Sequence, residues 1–235
     1  MPKAGDAKSD RKGDIVTDAK ARYYTPDDVA LHNCAEDCWL SLFGKVLDIS
    51  RLIMDNRGLL ADPLIAAAGT DVSHWFSAKT GDPRTFVDPE TGLTVPYTPM
   101  GRFLHVPPNF PTTAWSTNFG NPWWRDENRV VGKLTRKGRS IRIVNILSQQ
   151  EDLLLVACED SIADIQERYL ESNAHAGSYT WKVLKDSEFV PADMDKTLEE
   201  NGVLDDDLEF DKLGMGEGGF IPVLHIYYND DLTVA

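Results

Sequence analysis

The sequence predicts an α+β protein of two folded units, and three observations carry that expectation. Helix-start signals and one tight β-turn crowd residues 23–76, a Pro-, Gly- and Trp-rich stretch follows from Lys79 to about Gly138, and strand alternation with one amphipathic helix occupies the rest. The chain has 235 residues, room for one large or two small domains at about 150 residues each. With 42% apolar and 26% charged residues it can bury ordinary cores. A formal charge of −14 argues against nucleic acid and anionic membrane as partners, because both require a basic face. Protein partners fit better. No apolar run approaches the roughly 20 residues of a membrane span, and the start, MPKAGDAKSDRKGD, lacks the apolar centre of a signal peptide. An intracellular protein is expected.

Residues 1–22 mix Lys, Asp, Gly and Ala with almost no large apolar group, so a flexible arm is expected. Order begins at YYTPDDVALHN, where Thr25 can cap a helix, Pro26 suits its first position, and Asp27 and Asp28 suit the positive end of its dipole. DCWLSLFGKVLDIS reads as a β-hairpin turning at Gly44 and Lys45. Ser50 offers a cap for a short helix through RLIMDN. LLADPLIAAAG fits another helix, with Leu60, Leu64, Ile65 and Ala68 on one face and Gly69 as its stop. Asp71 can cap a third, containing His74, Trp75 and Phe76.

Between Lys79 and Gly138, turns and extended pieces are expected. Trp115, Phe119, Trp123 and Trp124 carry too much apolar area to leave in water, so this stretch wraps a folded surface or binds a partner. RSIRIVNIL and DLLLVACE then read as a hairpin. SIADIQERYLESN carries a capping box, Ser161 with Asp164, and places Ile162, Ile165, Tyr169 and Leu170 on one face. SYTWKVL is a further strand, TLEENGVLDDD a short helical turn ending at Gly202, and PVLHIYYND the last strand. That order resembles a ubiquitin-like β-grasp fold. Its end, YYNDDLTVA, lacks a Gly-Gly tail, so docking through the sheet or its edges is expected rather than conjugation.

Recognisable chemistry is sparse. Cys34, Cys38 and Cys158 suit reduced thiols, and no second pair completes a zinc site. P-loop, GxSxG and HExxH motifs are missing. Glu199 with Glu200, and Asp205 to Asp207, lack the alternating ligands of an EF-hand and read as solvated faces. His32, His175 and His225 have local explanations, and Met54 and Met100 read as space-filling.

The segment YYTPDDVALHNCAEDCWLSLFGKVLDISRLI resembles the start of a cytochrome b5 domain. The blocks DVSHWF, GRFLHVPP, PWW, SYTWK, TLEENG and YYNDDLT extend the resemblance to a group of cytochrome b5-domain proteins associated with the ciliary axoneme, its radial spokes and control of beating. The chain is thus expected to divide into a flexible arm at 1–22, a cytochrome b5-like domain with extension at 23–106, which the resemblance implies, a Trp/Pro-rich connecting segment at 107–138 and a ubiquitin-like β-grasp domain at 139–235. The resemblance also implies a non-enzymatic structural and regulatory subunit in a radial spoke, assembling with other axonemal proteins. Trp115, Trp123 and Trp124 are then the candidate anchors for a partner. The alternative is a haem-binding redox sensor or electron-transfer protein, since a cytochrome b5 domain holds haem b between two histidines. Here Asn56-Arg57-Gly58-Leu59 stands in place of the first ligand's His-Pro-Gly-Gly, and Thr80-Gly81-Asp82 near the second. The candidate ligands are therefore His74, and His105 if the aromatic stretch folds back.

Overall fold

The computed structural model describes residues 22–110, 112–113, 115–214 and 220–228. Of the expected N-terminal arm only Arg22 lies within these bounds, and the terminal residues after Tyr228 lie outside them. Strand β1 (Tyr23–Tyr24) leads into helix α1 (Pro26–Leu31). The Thr25 hydroxyl accepts from the Asp28 N–H at 3.1 Å while the Asp28 carboxylate accepts from the Thr25 N–H at 2.8 Å. This reciprocal cap satisfies two donors that the helix start would otherwise leave open.

Strands β2 (Trp39–Leu42) and β3 (Lys45–Asp48) form the expected hairpin. Its turn is Phe43-Gly44, with φ of 49° and 77°, one position before Gly44-Lys45, because a two-residue hairpin turn of this hand needs positive φ at both places. Helix α2 (Ser50–Asp55) departs from expectation at its start. Ser50 is its first residue and not its cap. Asp48, at the end of the hairpin, accepts from the Ser50 N–H at 2.9 Å and from its hydroxyl at 2.6 Å. That frees the Ser50 oxygen to accept from the Cys38 N–H at 2.9 Å.

Helix α3 (Asp62–Ala66) is shorter than its apolar run, and the chain leaves it through Gly69 at φ 78°. Gly69 is also needed for space, since a Cβ there would lie 3.1 Å from the Ala30 Cα. The expected third helix is a single 3-10 turn, Ser73–Trp75, whose Ser73 N–H donates to Asp71 at 3.0 Å; Phe76 already lies in extended backbone beyond it.

The aromatic stretch contains more order than turns. Strands β4 (Thr85–Val87) and β5 (Thr94–Pro96) make a two-stranded ribbon, and β6 (Val130–Leu134) joins the first sheet, whose order is β1-β6-β3-β2. β6 runs parallel to β1 and antiparallel to β3. Gly132 permits this insertion, because a Cβ there would overlap the Arg22 carbonyl and the Tyr24 ring. The first core joins Leu52, Ile53, Leu64, Trp75 and Phe76 to Phe103, Val106 and Trp123 from the aromatic stretch.

The second sheet is built from β7 (Gly138–Asn145), β8 (Gln150–Ala157), β9 (Tyr179–Lys185), β10 (Glu188–Pro191) and β11 (Val223–Tyr228). Its order is β10-β9-β11-β7-β8, with the first and last strands in sequence, β7 and β11, parallel and adjacent. Helix α4 (Ile162–Tyr169) has the predicted Ser161–Asp164 capping box and packs Ile162, Ile165 and Tyr169 into the core of this sheet. The arrangement is compatible with a ubiquitin-like β-grasp. Leu170, expected on the buried face, is exposed because α4 ends one residue earlier. TLEENGVLDDD forms the expected short turn ending at Gly202, then runs without regular structure to Asp207, which opens α5 (Asp207–Lys212). Before Gly202 the Asn201 N–H donates to the Thr197 carbonyl at 3.1 Å, a single turn of helical type that stops at Gly202, φ 88°, and the Asn201 side chain ties that turn to the Asp193 carbonyl at 3.0 Å. The acidic run is paired rather than only solvated, with Asp205 and Asp207 each 2.7 Å from the Lys137 Nζ.

One arginine joins the two units. Arg168 of α4 reaches Asp160 at 2.8 Å through Nε, Asp28 of α1 at 2.7 Å through Nη1 and the Tyr23 carbonyl at 2.7 Å through Nη2. Its side chain is only 12% exposed and that of Asp160 3%. Asp28 therefore serves two elements at once, capping α1 and anchoring α4. Among the described residues no helix is long and apolar enough to cross a membrane.

Candidate functional site

The strap from Phe103 to Arg125 decides what the first unit can hold. Trp123 is fully buried, edge-on to Phe76 at 5.8 Å and to Trp124 at 5.6 Å. It is a core residue, so as a surface anchor for a partner it is withdrawn. Trp124 is half-buried, 5.6 Å from Phe76, and donates its Nε1–H to Asp82 at 3.2 Å. Trp115 is half-buried against Phe119 at 5.7 Å. Of the three, Trp115 and part of Trp124 face outward.

Both places where a cytochrome b5 domain carries its ligands are engaged by this strap. Asp82, near the second, takes Trp124 and an ion pair from Arg125 at 2.6 Å. Asn56, at the first, lines a cavity of about 440 Å³ together with His105, Phe119, Asn121, Asp126 and Arg129. The two histidine candidates differ sharply. His74 is exposed, and its ring meets Trp75 edge-on at 6.0 Å. His105 is half-buried, stacked on Phe119 at 4.2 Å, and its Nδ1 accepts from the Trp123 backbone N–H at 3.0 Å. Burial, and then the Arg129 charge, lower its pKa and favour the neutral ring.

A neutral imidazole whose Nδ1 accepts a hydrogen bond carries its proton on Nε2. A metal-bound histidine ligates through its lone-pair nitrogen and donates from the other, and here that lone pair is already given to the Trp123 N–H. In this conformation the acceptor nitrogen of His105 is taken by the Trp123 N–H and His74 is exposed, so the described residues do not present two buried imidazoles with free ligating nitrogens, as haem between two histidines requires. His105 also has φ 67°, an uncommon conformation for a residue other than glycine. Arg129 Nε lies 3.1 Å from Asp126 Oδ2 but out of line for a hydrogen bond, so the pair is ionic while that N–H has no hydrogen-bond partner among the described residues. Among the described residues no group of three or more His, Cys, Asp or Glu side chains is placed to hold a metal ion. Cys34, Cys38 and Cys158 are free thiols, and burial pushes that of Cys38 up to about 12.

The second unit presents an open sheet face. Strand alternation sends Leu224 and Ile226 into the core and His225 and Tyr227 to the opposite side. There Phe189 meets His225 edge-on at 4.6 Å, and the Lys182 Nζ sits 4.2 Å from the centre of the Tyr227 ring. Leu184 is 58% exposed and Phe189 44%. Burial lowers the His225 pKa, and its Nδ1 has no hydrogen-bond partner among the described residues. This face was not legible in the sequence, because it required β10, the short EFVP strand, to be placed beside β9. His225 and Tyr227 in an alternating strand were its one available signal.

The profile of the family described as "Cytochrome b5-like Heme/Steroid binding domain" matches residues 25–87. Cytochrome b5 domain-containing protein 1 of Xenopus laevis is 49% identical over 219 residues, covering 93% of this chain and 99% of that protein. The protein of the same name from Homo sapiens is 48% identical over 213 residues, covering 90% and 92%. A cytochrome b5 from Oryza sativa subsp. japonica is 32% identical over 97 residues, covering 38% of this chain and 67% of that one. Similar along nearly their whole lengths and carrying a cytochrome b5-like domain on the N-terminal side, this chain belongs to the cytochrome b5 domain-containing protein 1 family.

Proposed function

We propose that the protein is a non-enzymatic structural and regulatory component of the motile-cilium axoneme, a radial spoke subunit that docks through its second unit. The open sheet face carries this reading: exposed Leu184 and Phe189 beside His225 and Tyr227 form an apolar and aromatic surface with cationic Lys182. Surfaces of this kind suit protein interfaces, where large aromatics dominate binding. The Arg168 junction adds to it by holding the two units in one arrangement, as a spacer in an assembly requires. Retention of the tagged chain in detergent-extracted axonemes tests the reading.

A second reading, haem binding and redox sensing by the first unit, is favoured by the description of the matched profile and by the cavity beside His105. It requires the His105 ring to release the Trp123 N–H, so that a ring nitrogen is free to ligate iron. An optical haem titration separates the two readings. The docking reading expects no saturable Soret band in the intact chain. A saturable low-spin band that survives His74→Ala and is lost in His105→Ala would establish the second.

A further inference from the structure

A second cleft lies where the two units meet and shares no lining residue with the cavity beside His105. Its volume is about 350 Å³, and its wall is aromatic. His32 stacks on Trp39 with ring centres 3.6 Å apart and planes within 10°, and Tyr24 meets Trp39 edge-on at 5.2 Å. The stack is held by His32 Nδ1, 2.7 Å from an Asp37 carboxylate oxygen. Leu154 and Leu155 of β8 supply apolar floor, and Glu167 and Glu171 of the α4 end supply an acidic rim.

The charges in this cleft are unequal in their commitments. Arg168 is spent on Asp28 and Asp160. Glu167 is shared with Arg22 at a loose 3.4 Å, and both side chains are more than half exposed. Glu171 is exposed and has no ionic partner among the described residues. The Arg22 guanidinium lies 5.5 Å from the centre of the Tyr24 ring while it reaches Glu167. The chain's own arginine thus demonstrates the recognition mode: a guanidinium over an aromatic face, closed by a carboxylate. Such an arrangement favours a cation through the ring quadrupole and the rim charge together.

We propose that this cleft takes an arginine or lysine side chain from a basic segment of a partner protein, with the rim of Glu167 and Glu171 as its counter-charge and the aromatic wall as its platform. The inference rests on the docking reading above and names the chemistry of one partner. The overall charge of −14 favours the encounter with a basic segment. Arg22 is the internal competitor that an incoming side chain displaces.

The test is fluorescence anisotropy of a labelled, end-blocked Arg-rich peptide against the full chain at fixed salt, with a glutamine-substituted peptide as control. Glu167→Lys combined with Glu171→Lys is expected to weaken binding about tenfold or more, the scale of two exposed ion pairs replaced by like-charge repulsion. Asp195→Lys combined with Glu199→Lys makes the same change in net charge on exposed residues outside the cleft and is expected to leave affinity within about threefold. Arg22→Ala is expected to tighten binding, and the Trp39 indole resonance is expected to shift on titration. Equal weakening by both charge-reversed pairs, or a Trp39 resonance that stays still, would overturn the cleft. Axonemal retention separates this inference from the docking reading. If the cleft variant loses the peptide but remains in axonemes, docking stands and the cleft is not its contact; if the unaltered chain is not retained, docking itself fails.

Discussion

Trp123→Ala is expected to destabilise the first unit by about 3–5 kcal/mol, the usual cost of emptying a large aromatic site in a core. That is much of the stability of an ordinary domain, about 5–15 kcal/mol. The side chain is fully buried among Phe76, Phe103 and Trp124. Its backbone N–H is also the donor that fixes His105. Loss of the ring therefore loosens the strap at its deepest point. Thermal unfolding followed by near-ultraviolet circular dichroism checks the effect. Trp115→Ala, at a half-buried site in the same stretch, serves as comparison and is expected to cost less than about 1 kcal/mol. Equal effects at the two positions would mean that the strap is not part of the first core.

Arg168→Met is expected to be comparably damaging, about 3–5 kcal/mol, because it strands carboxylates that the arginine had neutralised. Asp160 bears most of this cost. Burial already pushes its carboxyl up, and the Arg168 charge and hydrogen bond offset that only in part; removing the arginine raises it further. A carboxyl whose folded pKa lies above its unfolded value stabilises the fold below the unfolded pKa, near 3.9, and loses that contribution as pH rises through the folded pKa. The variant's deficit is therefore largest at neutral pH and shrinks as pH falls. Asp28 loses its interdomain partner in the same substitution, so the variant is also expected to unfold in two separated steps. Denaturant unfolding at several pH values checks both points. A single transition with an unchanged midpoint would show that Arg168 does not couple the units.

Much of the fold was legible wherever the deciding contacts are local. The Thr25 cap, the hairpin at Gly44 and the Ser161–Asp164 box each depend on residues within a few positions, and each formed. What the sequence hid depends on distant partners. Ser50 reads as a cap, yet Asp48 takes that N–H because the hairpin delivers it there. β6 is short and interrupted by Gly132, so it does not announce itself, and only its pairing with β1 explains why Gly132 must lack a side chain. The tryptophans of the strap look alike in sequence. Their depth follows from where the strap crosses the first core, so burial of Trp123 and half-exposure of Trp115 could not be separated beforehand. The departures from the cytochrome b5 ligand motif were visible directly. That the strap would close over Asp82 and wall a cavity beside Asn56 was not.

The most direct test of the docking account is retention in detergent-extracted axonemes, comparing the unaltered chain with one carrying Leu184→Asp and Phe189→Asp. Both positions are exposed, so the folded protein tolerates the changes, while an apolar interface does not accept two buried carboxylates. The account predicts that the unaltered chain stays with the axoneme and the folded variant is released into the soluble fraction. An unaltered chain that leaves with the detergent extract, or a variant retained as fully as its parent, would contradict docking through this sheet.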